Sequence, residues 1–177
     1  MRILMMNWRD IKNPLHGGAE VVTHEHLKRW VKAGHSCYLI SSAFPGCKDM
    51  EEIDGYKVYR TGDRLTVYWN AYKLYKKQFK GKVDLVIDQV NTIPFFTPLY
   101  VKDARIMSFF HQLCREIWFY ETPFPFSLIG YMAEPFYLRL YRKYPSMVVS
   151  SSTKKGVMKY GINNVSIIPE GINFKPL

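Results

Sequence analysis

The stretch "HGGAE", His16 to Glu20, stands between an apolar run, "RILMM" from Arg2, and a helical pattern, "VVTHEHLKRWVKAG", that ends at Gly34. Adjacent glycines between a strand and a helix are costly to order, because glycine loses more backbone freedom on folding than other residues. They are explained if a ligand must approach the backbone, and a helix N-terminus with its free N–H groups suits a phosphate. The alternative is a tight turn that needs positive φ and binds nothing, since the pair matches neither a G-x-G-x-x-G fingerprint nor a Walker loop.

Outward from this turn the chain alternates between strand and helix patterns. Strands are predicted at Arg2–Asn7, Ser36–Ser41, Gly55–Arg60, Asp84–Asp88, Arg105–Phe109, Met147–Ser150 and Val165–Ile168. Helices are predicted at Gly18–Ala33, Thr66–Lys80, Ser127–Tyr144 and Ser152–Tyr160, with Thr92–Val101 helical or irregular. This alternation predicts an α/β fold, a Rossmann-like parallel sheet with helices on both faces. Ligands of such sheets bind beyond the carboxyl ends of the strands, where the glycine pair lies.

Composition limits the class of protein. The chain has 177 residues, which fits one ordinary domain, and 47% of them are hydrophobic and 23% charged, as in a globular protein. No apolar stretch approaches the roughly 18 residues of a membrane span. The net charge of +10 favours a phosphate, a nucleic acid or an acidic membrane surface as partner, but no nucleic-acid motif is recognised and no nucleic acid is expected. Three cysteines without metal-ligand spacing favour a reducing cytoplasm.

Metal binding and paired-carboxylate chemistry are not expected. His24 and His26 are two apart on a predicted helix and do not share a face, whereas Glu20 and His24 do. Two ligands make no metal site. Asp84 and Asp88 bracket a predicted strand, and we expect them to cap its ends rather than to act as an acid–base pair.

The opening "RILMMNW…GGAEVVTHEHLKRWVKAGHSCYLIS" resembles that of retaining glycosyltransferases of family four, which have the GT-B fold. Further similarities follow in the same order. "DLVIDQVN" resembles the family's fourth strand and the loop after it, and "RIMSFFHQL" resembles the strand that ends in an active-site histidine. "LYRKYPSMVVSSSTKKGVMKYGINNVSIIPEGIN" resembles the stretch that closes the first domain. The resemblance covers nearly the whole chain.

This resemblance implies a function. The family has two Rossmann-like domains, of which the first binds the acceptor and the second the sugar nucleotide. The second carries a pair of glutamates at a fixed spacing that no two glutamates of this chain have. Residues 1–170 are therefore expected to be the acceptor-binding domain and 171–177 the start of the interdomain linker, with the nucleotide-sugar-binding domain absent. The intact protein would be a glycosyltransferase of hexosyltransferase type. It would transfer a sugar from a nucleotide-sugar co-substrate to a hydroxyl with retention, without metal or other cofactor, and this domain alone would be inactive.

The resemblance also implies site residues. Gly17 and Gly18 match the turn that faces the donor phosphates, and His111 matches the histidine beside the transferred sugar. A histidine at a strand end donates a hydrogen bond to a sugar hydroxyl or steadies developing charge; the alternative is a structural histidine that caps the next loop. Two further candidates for acceptor binding come from position in the chain. Asn91 follows the "DLVID" strand, and the alternative is that it is an ordinary loop asparagine that satisfies local backbone. Glu116 follows His111 in the same loop, and the alternative is that it is a solvated acid.

Two segments mix bases with aromatic residues. In "VYWNAYKLYKKQFKGK" the aromatic residues Tyr68, Tyr72, Tyr75 and Phe79 form one helical stripe, which is expected to pack on the sheet. The unbalanced charge of the segment indicates an anionic surface contacted by Trp69, Lys73, Lys76, Lys77, Lys80 and Lys82, with Trp118 as a further interfacial anchor. The loop from Trp118 to Phe126 either lies exposed at the cleft mouth, over a lipid-linked acceptor, or belongs to the core. The location expected is cytoplasmic, peripheral at the inner face of the membrane.

Two other functions remain open. Half of a GT-B sugar-nucleotide epimerase has the same architecture, and a non-catalytic carbohydrate- or lipid-binding module would use the same cleft. The paired glutamates in a downstream segment would separate a transferase from a module.

Overall fold

A computed structural model of the chain describes residues 1–169. Its strands are β1 (Arg2–Met6), β2 (Ser36–Ser41), β3 (Met50–Ile53), β4 (Tyr56–Arg60), β5 (Leu85–Val90), β6 (Arg105–Phe110), β7 (Ser146–Val148) and β8 (Val165–Ile167). Its helices are α1 (Gly18–Lys32), α2 (Val67–Leu74), α3 (Thr97–Tyr100), α4 (Trp118–Glu121), α5 (Phe126–Leu138) and α6 (Ser151–Met158). The predicted linker, 171–177, lies outside the described residues.

The strands of residues 1–169 form one sheet in the order β3-β4-β2-β1-β5-β6-β7-β8. All neighbours are parallel except the edge pair β3–β4, which is antiparallel. This confirms the predicted Rossmann-like parallel sheet. Strand β2 follows β1 in sequence and pairs with one edge of it, whereas β5 pairs with its other edge. The order of strands across the sheet therefore reverses at β1. A crevice opens at the carboxyl ends of the strands at such a reversal.

Strand β3 was not predicted. Its "MEEI" sequence shows no apolar alternation, because only Ile53 of the four residues is buried. The signal was in the turn that follows, since Asp54 and Gly55 both have positive φ, at 44° and 87°. An Asp-Gly pair in this conformation makes a two-residue hairpin turn.

The two faces of the sheet are covered differently. On one face, Val67, Ala71, Tyr75 and Phe79 of α2 and its last turn pack with core residues such as Val86. The last turn, Tyr75–Phe79, is a π-helix. Of the predicted aromatic stripe, Tyr75 and Phe79 are therefore core residues and Tyr68 packs partly buried against them, whereas Tyr72 is only partly buried and lies outside this cluster. On the opposite face, α1 packs with the sheet through residues such as Leu27.

The segment after β6 departs from its predicted form. One helix was predicted over Ser127–Tyr144, but α5 ends at Leu138 and a 3₁₀ turn, Arg139–Tyr141, follows. The inner side of α5 and this turn pack on the sheet through Tyr137, Leu138 and Tyr141. A search of residues 1–169 finds no helix with the length and apolar character needed to span a bilayer.

Candidate functional site

A cleft of about 1450 Å³ opens at the carboxyl edge of the sheet, beside β1. Its walls come from the loop after β1, the N-terminus of α1, the segment before α2, the ends of β5 and β6, and the α4–α5 region. Four of the residues expected in the site line it, namely Gly17, Gly18, Asn91 and His111. The topology of the sheet therefore brings these residues, distant in sequence, into one concave surface.

The glycine pair leaves open space at the start of α1. Gly17 has extended backbone, with φ of −134°, and neither glycine is among those with positive φ. A turn that requires positive φ therefore does not explain the pair. A Cβ atom added at Gly18 would meet nothing within 4 Å, so a side chain there would project into empty space. Because Gly17 has no side chain to cap α1, the first amides of the helix face the cleft without a side-chain cap.

Glu20 holds the glycine turn in place. Its Oε2 accepts a hydrogen bond from the Gly17 N–H at 2.6 Å, and the Arg9 guanidinium lies 3.6 Å from the same oxygen. The side chain is 1% exposed, and its Oε1 has no hydrogen-bond partner within residues 1–169. Glu20 and Arg9 both line the cleft, so a buried carboxylate and a cation stand together beside the glycine pair.

His111 is fixed at the end of β6. Its Nε2 lies 2.9 Å from Gln89 Oε1. An amide oxygen only accepts hydrogen bonds, so Nε2 carries the proton in this contact. The same oxygen accepts from the Thr23 hydroxyl of α1 at 2.9 Å, and the Phe109 ring lies against the imidazole at 4.3 Å between centroids. The imidazole is thus oriented by the hydrogen bond to Gln89 and by the Phe109 ring, and Thr23 fixes the Gln89 amide in turn.

The polar contacts continue from Thr23 to Asn91. Asn7, which follows β1 and is fully buried, donates from Nδ2 to the Thr23 hydroxyl oxygen at 3.3 Å. Asn91 donates from Nδ2 to Asn7 Oδ1 at 3.0 Å. A continuous chain of polar side chains therefore joins Asn91 to His111 below the cleft floor. Of its members, Asn7, Thr23 and Gln89 were not identified from the sequence.

Two arginines lie at the end of the cleft near β1, together with the carboxylates of Glu20 and Asp63. The Arg9 guanidinium lies 4.0 Å from the centroid of the Trp8 ring, and that of Arg64 lies 5.5 Å from it. All three residues line the cleft. The Trp8 ring therefore holds the two guanidinium groups at the cleft wall through cation–π contacts.

Two expectations for the loop after β6 need correction. Trp118 is only 6% exposed, and its indole N–H donates to Glu134 at 3.2 Å, so it is a wall residue of the cleft and not an exposed interfacial anchor. Gly130 makes room for it, since a Cβ there would lie 2.5 Å from the indole. Glu116 is exposed and does not line the cleft, so the structure does not place it with the other site residues.

Glu134 ties this loop to α5. Its carboxylate accepts hydrogen bonds from the backbone N–H groups of Cys114 and Arg115 at 2.8 and 2.7 Å, as well as from the Trp118 indole. Burial raises the pKa of Glu134 above its usual value, although these donors oppose the shift. This role of Glu134 was not predicted, although a single glutamate within the apolar sequence of α5 could have indicated it.

The remaining polar candidates have structural roles. Asp88 is fully buried and accepts from the N–H groups of Phe95 and Thr97, while Asp84 pairs with Arg2 at 2.7 Å. Asp84 directly precedes β5, as expected, but the prediction that Asp88 caps the other end of the strand is wrong, because β5 continues to Val90 and Asp88 binds the following segment from within it. Residues 1–169 contain no cluster of side chains able to hold a metal ion.

The basic cluster lies on the outer surface of α2, its π-helical turn and the segment that follows, away from the cleft lining. Trp69 is 60% exposed, and Lys73 Nζ lies 5.4 Å from its ring centroid. The lysines of the cluster are all exposed: Lys73, Lys76, Lys77, Lys80 and Lys82.

Comparison with solved structures identifies the fold. Sucrose-phosphate synthase from Thermosynechococcus elongatus is 10% identical in one structure, with a TM-score of 0.67 over 98% of this chain and 91% of that chain. In a longer structure of that enzyme, 13% identical with a TM-score of 0.66, the match covers 97% of this chain and 48% of that chain. A UDP-forming α,α-trehalose-phosphate synthase from Burkholderia xenovorans, in complex with glucose-6-phosphate, is 13% identical with a TM-score of 0.60, over 97% of this chain and 50% of that chain.

These matches show one half of a GT-B fold, and the chain spans about half the length of the two longer enzymes. No curated protein matches the chain in sequence. The family model described as Glycosyltransferase Family 4 matches residues 16–175, which is most of the chain. The chain therefore belongs to Glycosyltransferase Family 4.

Proposed function

We propose that this chain is the acceptor-binding half of a glycosyltransferase that moves a sugar, of hexose type, from a nucleotide-sugar donor to an acceptor hydroxyl with retention of configuration. The observation that carries the proposal is the arrangement at the cleft. An oriented histidine and an open, uncapped helix N-terminus face one concave space, as transfer from a diphosphate leaving group requires.

The donor phosphates occupy the space above Gly17 and Gly18 in this proposal. The amides at the start of α1 supply hydrogen-bond donors, and the Arg9 side chain, beside them in the lining, supplies positive charge. These protein groups, together with those of a second domain, neutralise the leaving diphosphate. The reaction therefore needs neither a metal ion nor another cofactor.

His111 contacts the transferred sugar. Gln89, which also lines the cleft, sets the orientation of the imidazole through its hydrogen bond, and Thr23 holds the Gln89 amide from α1. Asn91, at the other end of the polar chain, binds an acceptor hydroxyl. The apolar wall that Trp118, Phe126 and Tyr137 form across the cleft packs on the acceptor.

The exposed lysines of α2 bind an anionic surface, in a cytoplasmic protein peripheral to the inner face of the membrane. Their exposure, the absence of acids between Thr66 and Val83, and the net charge of +10 support this placement. Charge alone would also suit nucleic acid, but the open cleft with its convergent polar groups favours a small anionic donor, and no nucleic-acid partner is proposed.

The test is an assay of a form of the protein that carries the second, nucleotide-sugar-binding domain. Purified protein is incubated with a panel of nucleotide sugars and acceptors, with and without EDTA, and the anomeric configuration of the product is read by NMR. We expect transfer that EDTA does not abolish and a product with the donor's configuration. An inverted product, or interconversion of the nucleotide sugar itself as in an epimerase, would refute the proposal, and ligand binding without turnover would indicate a non-catalytic module.

A further inference from the structure

Helices α4 and α5 expose an unusual number of large apolar side chains. We define the α4–α5 apolar face by six residues of these two helices, each more than half exposed: Phe119, Tyr120, Phe126, Ile129, Met132 and Phe136. Scattered exposed apolar residues are normal on a protein surface, but six large ones on two helices that contact each other indicate an interaction site.

The sequence of α5 explains how the face arises. Ile129, Met132 and Phe136 recur at helical spacing and point outward, while Tyr137 and Leu138 pack inward on the sheet. A helix that is apolar on both sides is normally buried on both sides. The inner side of α5 is covered by the sheet, so its outer side needs a second apolar partner.

The charge around the face identifies that partner. Val86 and Val90 are four residues apart on β5, so their side chains point to the same side of the sheet. Val86 packs in a core cluster with Ala71 of α2. Val90 packs in another core cluster with Tyr137 of α5. Helices α2 and α5 therefore lie on the same side of the sheet. The outward lysines of α2 stand on the same side of the molecule as the α4–α5 apolar face.

Two further features fit the same partner. The Arg139 guanidinium lies 5.6 Å from the Phe136 ring centroid, at the far end of α5, and Glu121, the acidic residue of α4, lines the cleft. Apolar and aromatic side chains flanked by cations are the pattern of a helix that lies in the interface of an anionic bilayer. A protein could bind the same face only if its own surface had an apolar centre surrounded by acidic residues, whereas an anionic bilayer supplies both features.

We propose that the α4–α5 apolar face inserts into the headgroup–acyl boundary of an anionic membrane. Phe126 and Ile129 belong to both this face and the cleft lining, so the cleft opens at the membrane surface. Resting on the function proposed above, it follows that the acceptor is an amphiphile, with its hydroxyl in the cleft and its hydrocarbon part along α5.

The test uses flotation of the chain with vesicles of phosphatidylcholine alone or mixed with phosphatidylglycerol. Met132→Ser, alone and combined with Phe136→Ser, is compared with Met50→Ser. Met50 and Met132 are 55% and 60% exposed, and Met50 lies on the edge strand β3, so the pair differs mainly in position. All three side chains are exposed, so the melting temperatures should stay near that of the parent chain.

We expect the parent chain and Met50→Ser to bind anionic vesicles alike, and the double variant to bind about tenfold less tightly, since burial of two large side chains in hydrocarbon is lost. The difference should persist at high salt, which removes only the lysine contribution. Equal binding by all variants, or no binding by the parent chain, would overturn the inference. So would a dimer, measured by light scattering, that the double variant dissociates, because the face would then bind a second copy.

Failure here is distinguishable from failure of the proposed function. A form with both domains that glycosylates a water-soluble acceptor while the chain ignores vesicles would leave the transferase proposal intact and remove the membrane face. Vesicle binding that the α5 variants weaken, combined with no sugar transfer by the form with both domains, would support the membrane face and refute the transferase proposal.

Discussion

Individual residues of the cleft differ in how far the sequence predicts them. Gly17, Gly18 and His111 lie in the cleft, as their resemblance to family motifs implied, although their roles remain predictions. Gln89 was not predicted, because the strand before it was ended at Asp88, whereas β5 continues to Val90. The continuation places Gln89 on the face that α1 covers, where it meets Thr23 and His111. Which strands lie side by side is a property of the whole sheet, and no local pattern encodes it.

His111→Ala should lower turnover far more than stability in a form that carries both domains. Removing one group positioned against developing charge costs roughly a hundredfold or more in rate. The matched control is His35→Ala, just before β2 at the opposite edge of the sheet, which should leave turnover unchanged. Steady-state kinetics and thermal melts measure the two effects; near-normal turnover of His111→Ala would make this histidine a packing residue.

Gly18→Val should weaken donor binding without unfolding the protein. The position has no positive φ and no atom within reach of a Cβ, so the fold tolerates a side chain that fills the proposed phosphate space. We expect the donor KM to rise roughly tenfold, equivalent to one lost phosphate contact. Gly55→Val is the contrasting variant, because φ there is +87° and a Cβ would lie 2.7 Å from Val31. It should lower the melting temperature instead; a Gly18→Val protein with normal donor KM would contradict the phosphate assignment.

Glu134→Gln should change both the stability and its pH dependence. Both carboxylate oxygens of Glu134 accept hydrogen bonds from N–H groups. Glutamine replaces one of these oxygens by an NH₂ group, which cannot accept, so at least one hydrogen bond is lost and the free energy of unfolding falls by about 1–3 kcal/mol. Because burial raises the pKa of Glu134 in the folded chain, the folded state binds its proton more tightly than the unfolded state. This group's contribution therefore falls as the pH rises through the unfolded value of about 4.5 toward the folded pKa. Urea unfolding at several pH values should show that the difference between parent and variant shrinks as pH rises, and a constant difference would argue against it.

At the scale of elements, periodicity predicts the internal strands and long helices better than their ends. The stripe of α2 is confirmed for Tyr75 and Phe79, because a helix packs its apolar face on the sheet, but Tyr72 lies at the edge of that face and is only partly buried. The end of α5 was misplaced, because the apolar pattern runs on through the 3₁₀ turn to Tyr141 without a helix-stopping residue. The outward apolar side of α5 was also ambiguous in sequence, since an apolar helix reads the same whether its outer side is buried or open.

The lysines of α2 should give adhesion that depends on position and not on net charge alone. Replacing Lys73, Lys76 and Lys77 by Gln should weaken binding to anionic vesicles at low salt, at about 1 kcal/mol per lysine. The charge-matched control replaces Lys32 of α1, Lys57 of β4 and Lys48 of the loop before β3, which are also exposed. Co-sedimentation at low and high salt measures both. Equal losses from the two triple variants would reduce the cluster to a contribution to net charge.

The molecule as a whole has the architecture of one half of a GT-B fold, and its cleft opens at the carboxyl edge of the sheet. The groups that this chain offers a nucleotide sugar are backbone amides, Arg9 and His111, which contact only phosphate and sugar in our account. Nothing in the lining of the cleft is assigned to the nucleotide base. Donor affinity and turnover should therefore depend on the second domain.

The most direct measurement is sugar transfer by purified residues 1–177 beside a form that carries both domains. Both are incubated with the same nucleotide sugars and acceptor, and the released nucleotide and glycosylated product are quantified. We expect product from the two-domain form, weak donor binding by the isolated chain, and no product from the isolated chain. Turnover of any nucleotide sugar by residues 1–177 above trace level would contradict the assignment of this chain to the acceptor half of the active site.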